Sequence, residues 1–425
     1  MDAEEIALVE SLIERMVAGE SRINQAKPVP YWYPLSLATF GKSEILEALK
    51  TMCSFRTSMA ERTKVFEGNF ARWQGAGEAV MVNSGSSADL LLCLLMSNPL
   101  RPMLPSQSEL IMPVVTWPTQ IWSALMAGFK VKLVDVDPVT LNIDLDDLER
   151  NVSSATRGIF LVHVMGNPCD MDAVARVAQK HDLVVLEDCC EAMGASWAGQ
   201  KVGNFGIGGT FSFFFSHHIT CMEGGMVVTR DAETADHLRL LRAHGWVRNV
   251  DSSKFGLADF PDIDPRYAFV NWGLNVRPTE VQAAFGIRQL EKADAFASRR
   301  AAMATRFRAF VAGTEHLSAP TVHPEATPAW LALPIMVAED APFGRNELMK
   351  FLEVKGIETR PMICGNLARH PVANVFPEFR ARVFPGADQV HSRGFYIGLS
   401  PMQSDENVER MIDTFRVFLR KFGAP

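Results

Sequence analysis

Between residues 78 and 229 the sequence alternates short apolar runs with segments of helical periodicity, and this pattern constrains the fold more than any other feature. The seven runs are EAVMVN, LIMPVV, KVKLVDV, GIFLVHV, LVVLED, TFSFFF and MVVT. Helical patterns over 86–97, 118–128, 145–151 and 171–181 separate most of them. Such alternation is typical of a mostly parallel sheet covered by helices on both faces. The last two runs are only about ten residues apart, too short for a helical crossover, so one antiparallel strand is predicted.

The flanking segments predict further helices and a second, smaller sheet. Helical patterns cover the first 25 or so residues, 42–54, 60–74, 231–243, one long stretch from 278 to 314, 344–354 and 404–421. Strand-like segments near the end are ALPIMV, IETRPM and FYIGLS. We therefore predict an N-terminal helical arm over 1–30, a large α/β domain over 31–290 and a smaller α+β domain over 291–425.

Charge and cysteine content restrict the partners and the compartment. Lys and Arg number 42 against 49 Asp and Glu, and a net charge of −7 gives no global attraction to nucleic acid or to a membrane surface. The seven cysteines form no CxxC pair, which indicates reduced thiols and no structural zinc. The acidic helical start is not a signal peptide, and no apolar run approaches the roughly 20 residues that span a bilayer. A cytoplasmic protein is expected.

One stretch between the last two predicted strands concentrates unusual residues. Residues 209–225 read GTFSFFFSHHITCMEGG, with His217 and His218 side by side after an aromatic run. On their own, two such histidines fit a buried pair that is hydrogen-bonded to backbone carbonyls. A metal site is a second interpretation, but adjacent side chains point apart and neither HxH nor HxxxH is present.

This stretch resembles the lysine-bearing segment of the DegT/DnrJ/EryC1/StrS family of pyridoxal-phosphate enzymes, roughly S-F-x-x-x-K-x-(I/L)-x-x-x-E-G-G. His217 stands at the position of the lysine. Four more motifs match in order: NSGSSA at 83–88, PVVTW at 113–117, LEDCCE at 186–191 and GLNVRPTE at 273–280. The resemblance covers most of residues 30–290. It implies an α/β fold of the fold-type I aminotransferase kind, with a mostly parallel seven-stranded sheet and a smaller α+β C-terminal domain.

Within this family, histidine in place of the lysine is found in sugar 3-dehydratases, of which one subgroup also binds a [2Fe–2S] cluster. Segments 211–225 and 241–249 are most similar to the subgroup without a cluster, which acts on a GDP-mannose derivative. The chain has no cysteine between residues 222 and 363, where the cluster subgroup has several. The resemblance thus implies an NDP-4-keto-6-deoxyhexose as substrate, pyridoxal or pyridoxamine 5′-phosphate as cofactor, L-glutamate as amino donor and no iron–sulfur cluster.

The chemistry of histidine is compatible with this reaction. Histidine cannot hold the cofactor covalently as lysine does, but its ordinary pKa of about 6.5 suits a general base at neutral pH. The resemblance therefore assigns to His217 the removal of a proton from pyridoxamine phosphate that has condensed with the sugar. The C3 hydroxyl then leaves, and the product hydrolyses to a 3-deoxy-4-keto sugar and ammonia.

The resemblance also implies the residues that hold the cofactor. Asp188 would pair with the pyridine nitrogen, Trp117 would stack on the ring, and Glu191 would contact the ring hydroxyl. The residues expected at the phosphate are Gly85, Ser86, Ser87, Ser212, Ser216 and Asn275. Asn275 would come from a second subunit, which implies a homodimer with a shared site. The alternatives are a helix cap or salt bridge for Asp188 and a core position for Trp117.

The substrate side is implied by three more residues. His244 and Arg248 match a segment on the substrate side in similar enzymes, and Arg248 suits a sugar-nucleotide phosphate or a glutamate carboxylate. Arg277 is the third. His244 as a helix C-terminal cap and Arg277 in a surface ion pair are the alternatives. His218 is interpreted as structural.

Three other functions compete with a dehydratase. An ordinary sugar aminotransferase needs the missing lysine. A non-catalytic relative should have lost other site residues, yet Asp188, Ser212 and Asn275 remain. A nicotinamide dehydrogenase has no support, because the glycine-rich segment 203–209 lacks the GxGxxG spacing and precedes a strand.

Overall fold

The computed structural model describes residues 3–26 and 31–423. The remaining residues of the predicted N-terminal arm, 1–2 and 27–30, lie outside this range. The α-helices are α1 Ala3–Ala26, α2 Lys42–Cys53, α3 Glu61–Gln74, α4 Gly85–Met96, α5 Thr119–Met126, α6 Leu145–Arg150, α7 Met171–His181, α8 Ala232–Arg242, α9 Glu280–Leu290, α10 Ala293–Ala312, α11 Arg345–Val354, α12 Pro385–Arg393 and α13 Asp405–Leu419.

The strands form one large sheet and two smaller ones. They are β1 Glu78–Val82, β2 Glu109–Pro113, β3 Lys130–Val134, β4 Thr156–Val162, β5 Val184–Asp188, β6 Ser196–Trp197, β7 Gln200–Lys201, β8 Gly208–Ser212, β9 Gly225–Thr229, β10 Leu317–Ser318, β11 Ala326–Thr327, β12 Ala332–Val337, β13 Thr359–Pro361 and β14 Gly394–Gly398. The large sheet has seven strands in the order β1-β9-β8-β5-β4-β2-β3.

The large sheet confirms the prediction of a mostly parallel, helix-covered sheet. Each of its seven strands falls on one of the seven apolar runs, and β9 alone among them runs antiparallel to its neighbours, β1 and β8. Apolar side chains are buried on both faces, against α4 and α5 on one side and α3 and α7 on the other. Parallel strands end at the same edge, so loops that follow β2, β5 and β8 converge there.

The C-terminal region builds a four-stranded antiparallel sheet in the order β10-β12-β14-β13. Its own apolar core includes residues of α10, α11 and α13. The smaller α+β unit is therefore as expected, and the boundaries at 30/31 and 290/291 stay a proposal. None of the helices in the described ranges combines the length and the apolarity that crossing a membrane requires.

The long helical region predicted from 278 to about 314 forms two helices rather than one. The chain forms α9 and α10 with a break at Glu291 and Lys292. The break follows from packing against the N-terminal segment, because Gln289 donates to Glu44 of α2 at 2.9 Å and Lys292 forms an ion pair with the same carboxylate. Helix α12 and several short 3₁₀ turns were not predicted.

Candidate active site

The carboxyl ends of β5 and β8 meet the N-terminus of α4, and most of the predicted cofactor residues lie there. Asp188 is the last residue of β5, Ser212 the last of β8, and Gly85 the first of α4. A Cβ atom on Gly85 would lie 2.5 Å from the Cβ of Ser212. The first turn of α4 therefore rests directly on the end of β8, and only glycine allows this approach.

The N-terminus of α4 offers an anion site from its main chain. Ser84 caps the helix by accepting the Ser87 N–H at 3.1 Å, and the Ser87 hydroxyl donates to Asn83 at 2.6 Å. Ser87 is thus used by the cap. The amides of Gly85 and Ser86 have no intrahelical acceptor and point out of the positive end of the helix, which suits a phosphate group.

Two buried carboxyl groups, Asp89 and Asp188, lie next to each other below this anion site. Their oxygens and the Cys190 Sγ lie within 4.8 Å of one another. The Thr210 hydroxyl donates to Asp89 at 2.6 Å, and the Cys190 N–H donates to Asp188 at 2.9 Å. Burial raises the pKa of both carboxyls, and the charge of Asp188 raises the pKa of Asp89 further. Within residues 3–26 and 31–423, no lysine or arginine forms an ion pair with either group.

This pair fits the protonated ring of pyridoxal or pyridoxamine phosphate. Two adjacent buried carboxyls without a neighbouring cation cannot both ionise readily. A protonated pyridine ring beside Asp188 would supply the positive charge that stabilises its ionised form. Asp188 therefore has neither the helix-cap nor the salt-bridge role. Trp117 is 62% exposed, so the core alternative is wrong and its ring is free to stack on a ligand.

Glu191 contributes a second titratable group at the end of β5. Its Oε2 atom accepts the main-chain N–H of Met165 at 2.7 Å. Burial, reinforced by the charge of Asp188, raises the pKa of Glu191 to about 7. A carboxyl that is still partly protonated at neutral pH can donate a hydrogen bond as well as accept one.

His217 lies in the loop that connects β8 to β9. Its main-chain N–H donates to the Phe214 carbonyl at 3.0 Å, and its ring packs edge-on against Phe214 with centroids 5.9 Å apart. Burial and the guanidinium of Arg300 lower the pKa of His217 to about 4, so its imidazole is neutral at pH 7. The Nδ1 atom is buried without a hydrogen-bond partner in the described part of the chain.

His218 behaves as the structural residue that was expected. Its Nε2 atom lies 2.8 Å from the Ala329 carbonyl, and burial lowers its pKa to about 3. Ser216, beside His217, is half-buried, and the Ser212 hydroxyl accepts the Phe214 N–H at 3.4 Å.

Other predicted residues line a separate cavity of about 770 Å³, here called the basic cleft. Its lining includes Arg56, Lys64, Arg248, Asn275 and Arg277. Arg277 donates to the Asn275 side chain at 2.8 Å, and the Arg248 guanidinium lies 5.1 Å from the Trp246 ring. Among the described residues, none of the three arginines forms an ion pair with a carboxylate, so the surface-pair alternative for Arg277 is wrong. The cleft suits an anionic group. Its lining does not include His217 or Asp188.

His244 is not among the residues that line the basic cleft, although its neighbour Ala243 pairs with Asn275. It follows α8 in a left-handed conformation with φ of 63°, and its main-chain N–H donates to the Leu274 carbonyl at 2.8 Å. The imidazole is exposed and forms no hydrogen bond to a carbonyl of α8 in the described region, which removes the helix-cap alternative.

Sequence reasoning missed Asp89, Arg300, Arg56 and Lys64. The signal for Asp89 was available, since it is the one acidic residue in the otherwise apolar stretch ADLLLCLLM. Arg300 is one of several basic residues on α10 and does not stand out. Arg56 and Lys64 belong to no motif, and only the fold brings them to Arg248.

Comparisons with known proteins agree with this architecture. Residues 39–416 match the model of the DegT/DnrJ/EryC1/StrS aminotransferase family. The GDP-4-keto-6-deoxy-D-mannose 3-dehydratase of Yersinia pseudotuberculosis is 34% identical over 387 residues, which are 90% of this chain and 98% of that protein.

Two solved structures are similar over almost the whole chain. One is a histidine-to-asparagine mutant of GDP-4-keto-6-deoxymannose-3-dehydratase with bound GDP-perosamine, with a TM-score of 0.84 and 33% identity, covering 90% of this chain and 99% of that one. The other is the same enzyme with a trapped PLP-glutamate geminal diamine, with a TM-score of 0.82 and 32% identity at the same coverage.

The fold and the site thus define an enzyme of the pyridoxal-phosphate-dependent fold-type I class. More specifically, the chain belongs to the DegT/DnrJ/EryC1/StrS aminotransferase family.

Proposed function

We propose that this protein is a pyridoxamine-phosphate-dependent 3-dehydratase of an NDP-4-keto-6-deoxyhexose, with GDP-4-keto-6-deoxy-D-mannose as substrate. The observation that carries the proposal is the half-buried His217, whose imidazole is neutral at pH 7, at the lysine position of the family. A neutral imidazole can accept a proton, but it cannot retain the cofactor covalently. The similarity to GDP-4-keto-6-deoxy-D-mannose 3-dehydratase over 90% of the chain supports the choice of sugar.

Each residue of the candidate active site has a part in this proposal. Bound pyridoxamine phosphate would supply an amine for the C4 ketone of the sugar and a ring that accepts electrons. Asp188 would hold the proton of the ring nitrogen, Trp117 would cover one ring face, and the amides of Gly85 and Ser86 would bind the phosphate.

His217 would carry the proton transfer that separates this reaction from transamination. Its imidazole would take up the proton released beside the ring and would return it to the C3 hydroxyl, which leaves as water. The nitrogen-containing product would then hydrolyse to the 3-deoxy-4-keto sugar and ammonia, and L-glutamate would restore the amine.

A homodimer with shared active sites is part of the proposal. The basic cleft offers Asn275, Arg248 and Arg277 to an anion, and His217 of the same chain is not among the residues that line it. In a two-fold dimer the cleft of one subunit would face the active site of the other, where cofactor and nucleotide phosphates are bound. We further propose that the enzyme works in the cytoplasm, in keeping with its free cysteines.

The test is an incubation of the full chain with PLP, L-glutamate and GDP-4-keto-6-deoxymannose, followed by mass spectrometry of the sugar and assay of 2-oxoglutarate. The proposal predicts a sugar that has lost its C3 oxygen, with 2-oxoglutarate formed in equal amount. A stable 4-amino sugar would identify an aminotransferase instead, and absence of PLP binding would indicate a non-catalytic relative.

The matched variants are His217→Asn and His218→Asn, which make the same change at adjacent positions. His217→Asn should abolish dehydration and leave PLP binding intact, because Asp188 and α4 are unchanged. His218→Asn should retain dehydration, since His218 bonds only to the Ala329 carbonyl. Equal losses in the two variants would contradict the assignment of His217.

A further inference from the structure

Arg300 on α10 is a buried cation in contact with the main chain of His217. Its side chain is only 4% exposed. One guanidinium nitrogen donates to the Leu331 carbonyl at 2.9 Å and another donates to the His217 carbonyl at 3.3 Å. The Nε atom is buried without a hydrogen-bond partner among the described residues.

Arg242 is as deeply buried as Arg300, with an exposed fraction of 3%, and it shows how such a cation is usually accommodated. Arg242 forms an ion pair with Glu67 at 2.5 Å, which offsets the loss of hydration of both charges. In the described residues no carboxylate forms such a pair with Arg300. Its positive charge acts on the imidazoles of His217 and His218.

We propose that Arg300 is a positioning residue for His217: it holds the main chain of the loop between β8 and β9, and its unpaired positive charge acts on the imidazole. This inference rests on the proposed role of His217 as the base. The hydrogen bond from Arg300 holds the carbonyl of His217, and the hydrogen bond to the Phe214 carbonyl holds the main-chain N–H of His217. A base must be held within hydrogen-bond reach of the proton that it removes.

Electrostatics agree with this geometry. Burial is the larger cause of the lowered pKa of His217, and the guanidinium of Arg300 is the second. The same two causes act on His218. Burial lowers the pKa of Arg300 itself only to about 10, so it remains a cation at neutral pH. The charged group that acts on the His217 imidazole from α10 is Arg300, and the ring that packs against it from its own loop is the uncharged Phe214.

Two variants separate charge from geometry. Arg300→Met removes both the charge and the hydrogen bonds. Arg300→Lys keeps the charge but lacks the planar fork that reaches two carbonyls. The control is Arg308→Met on the same helix, because Arg308 is also partly buried and donates to a carbonyl, that of Pro320 at 2.7 Å.

The first measurement is a histidine NMR titration of the full-length, PLP-loaded protein, with the His217 signal assigned from His217→Asn. The wild type should titrate well below the ordinary pKa of histidine. Arg300→Met should move the His217 titration up by about one pH unit or more, whereas Arg300→Lys and Arg308→Met should leave it in place. This measurement stands whether or not the protein converts a sugar.

The second measurement is the pH profile of kcat/KM for dehydration. His217 is active as the neutral form, so activity falls as the pH decreases through its pKa. This acidic limb should move to higher pH in Arg300→Met. Arg300→Lys should keep the limb but lose about 10-fold in kcat from misplacement of the base.

An ordinary pKa for His217 in the wild type would overturn the inference, even if Arg300→Met failed to fold. An unchanged titration in a folded Arg300→Met would also overturn it. A wild type that leaves the sugar unconverted would contradict the proposed function alone, since the NMR result would still report on Arg300 and His217.

Discussion

At the scale of single residues, the site is built from buried charged or titratable groups that lack a partner of opposite charge. In the described part of the chain, no lysine or arginine forms an ion pair with Asp188 or Asp89, and no carboxylate forms one with Arg300. Asp188 and His217 were singled out because both belong to segments with a defined spacing, and their roles stay predictions. Asp89 and Arg300 were not predictable in the same way, because periodicity does not report the charge that surrounds a residue in the fold.

Asp188→Asn should weaken the binding of PLP. The amide cannot compensate a pyridinium charge, and hydrogen bonds to charged groups contribute about 1.5–3 kcal/mol, which corresponds to a roughly 10- to 150-fold higher Kd. Fluorescence titration with PLP measures this. Asp89→Asn is the control, because it leaves Asp188 in place and should change the Kd much less. Equal effects would contradict the assignment of the ring partner.

Glu191 should produce a pH dependence near neutrality. Its pKa is raised to about 7, so the carboxyl is protonated below that pH and ionises as the pH rises through it. Ionisation removes a hydrogen-bond donor and adds a negative charge beside Asp188. The absorbance of bound PLP should therefore change around pH 7 in the wild type. Glu191→Gln should lack this transition, and its persistence would assign the titration to another group.

At the scale of elements, the apolar runs predicted every strand of the large sheet and the one antiparallel member. Strands buried on both faces are continuous apolar segments, so their positions can be read locally. The break between α9 and α10 could not be read, because it depends on contacts between Gln289 or Lys292 and Glu44, about 245 residues away along the chain.

Gly85→Ala tests the contact between α4 and β8. The added Cβ would lie 2.5 Å from the Cβ of Ser212, so the first turn of α4 has to move. We expect a loss of about 1–3 kcal/mol in the free energy of unfolding, measured by urea denaturation, together with weaker PLP binding. Gly41→Ala is the control, because no atom lies within 4 Å of its added Cβ. Unaltered PLP binding in Gly85→Ala would argue against phosphate at this helix.

At the scale of the whole molecule, the predicted residues divide between two places in one chain. Motif spacing cannot show this division, because neither Arg56 nor Lys64 belongs to a motif. Arg56 lies before α3 and Lys64 lies within it, and the fold places both at the basic cleft with Arg248 and Arg277. A shared active site in the proposed homodimer would account for the division.

Subunit complementation tests that dimer. His217→Asn and Asn275→Ala should each be nearly inactive. If each site combines His217 of one chain with Asn275 of the other, mixed dimers contain one intact site. Random mixing after mild denaturation should then restore about one quarter of wild-type activity. Mixing each variant with itself is the control, and no recovery in the mixture would contradict shared sites.

The central claim is that the nitrogen taken from glutamate is not retained in the sugar, because His217 directs the reaction to loss of the C3 hydroxyl. The most direct measurement follows ¹⁵N from labelled L-glutamate by NMR during turnover with GDP-4-keto-6-deoxymannose. Our account predicts that the label appears as free ammonium, in equal amount to a 3-deoxy sugar that carries no ¹⁵N. A sugar that keeps both the label and its C3 hydroxyl would contradict it.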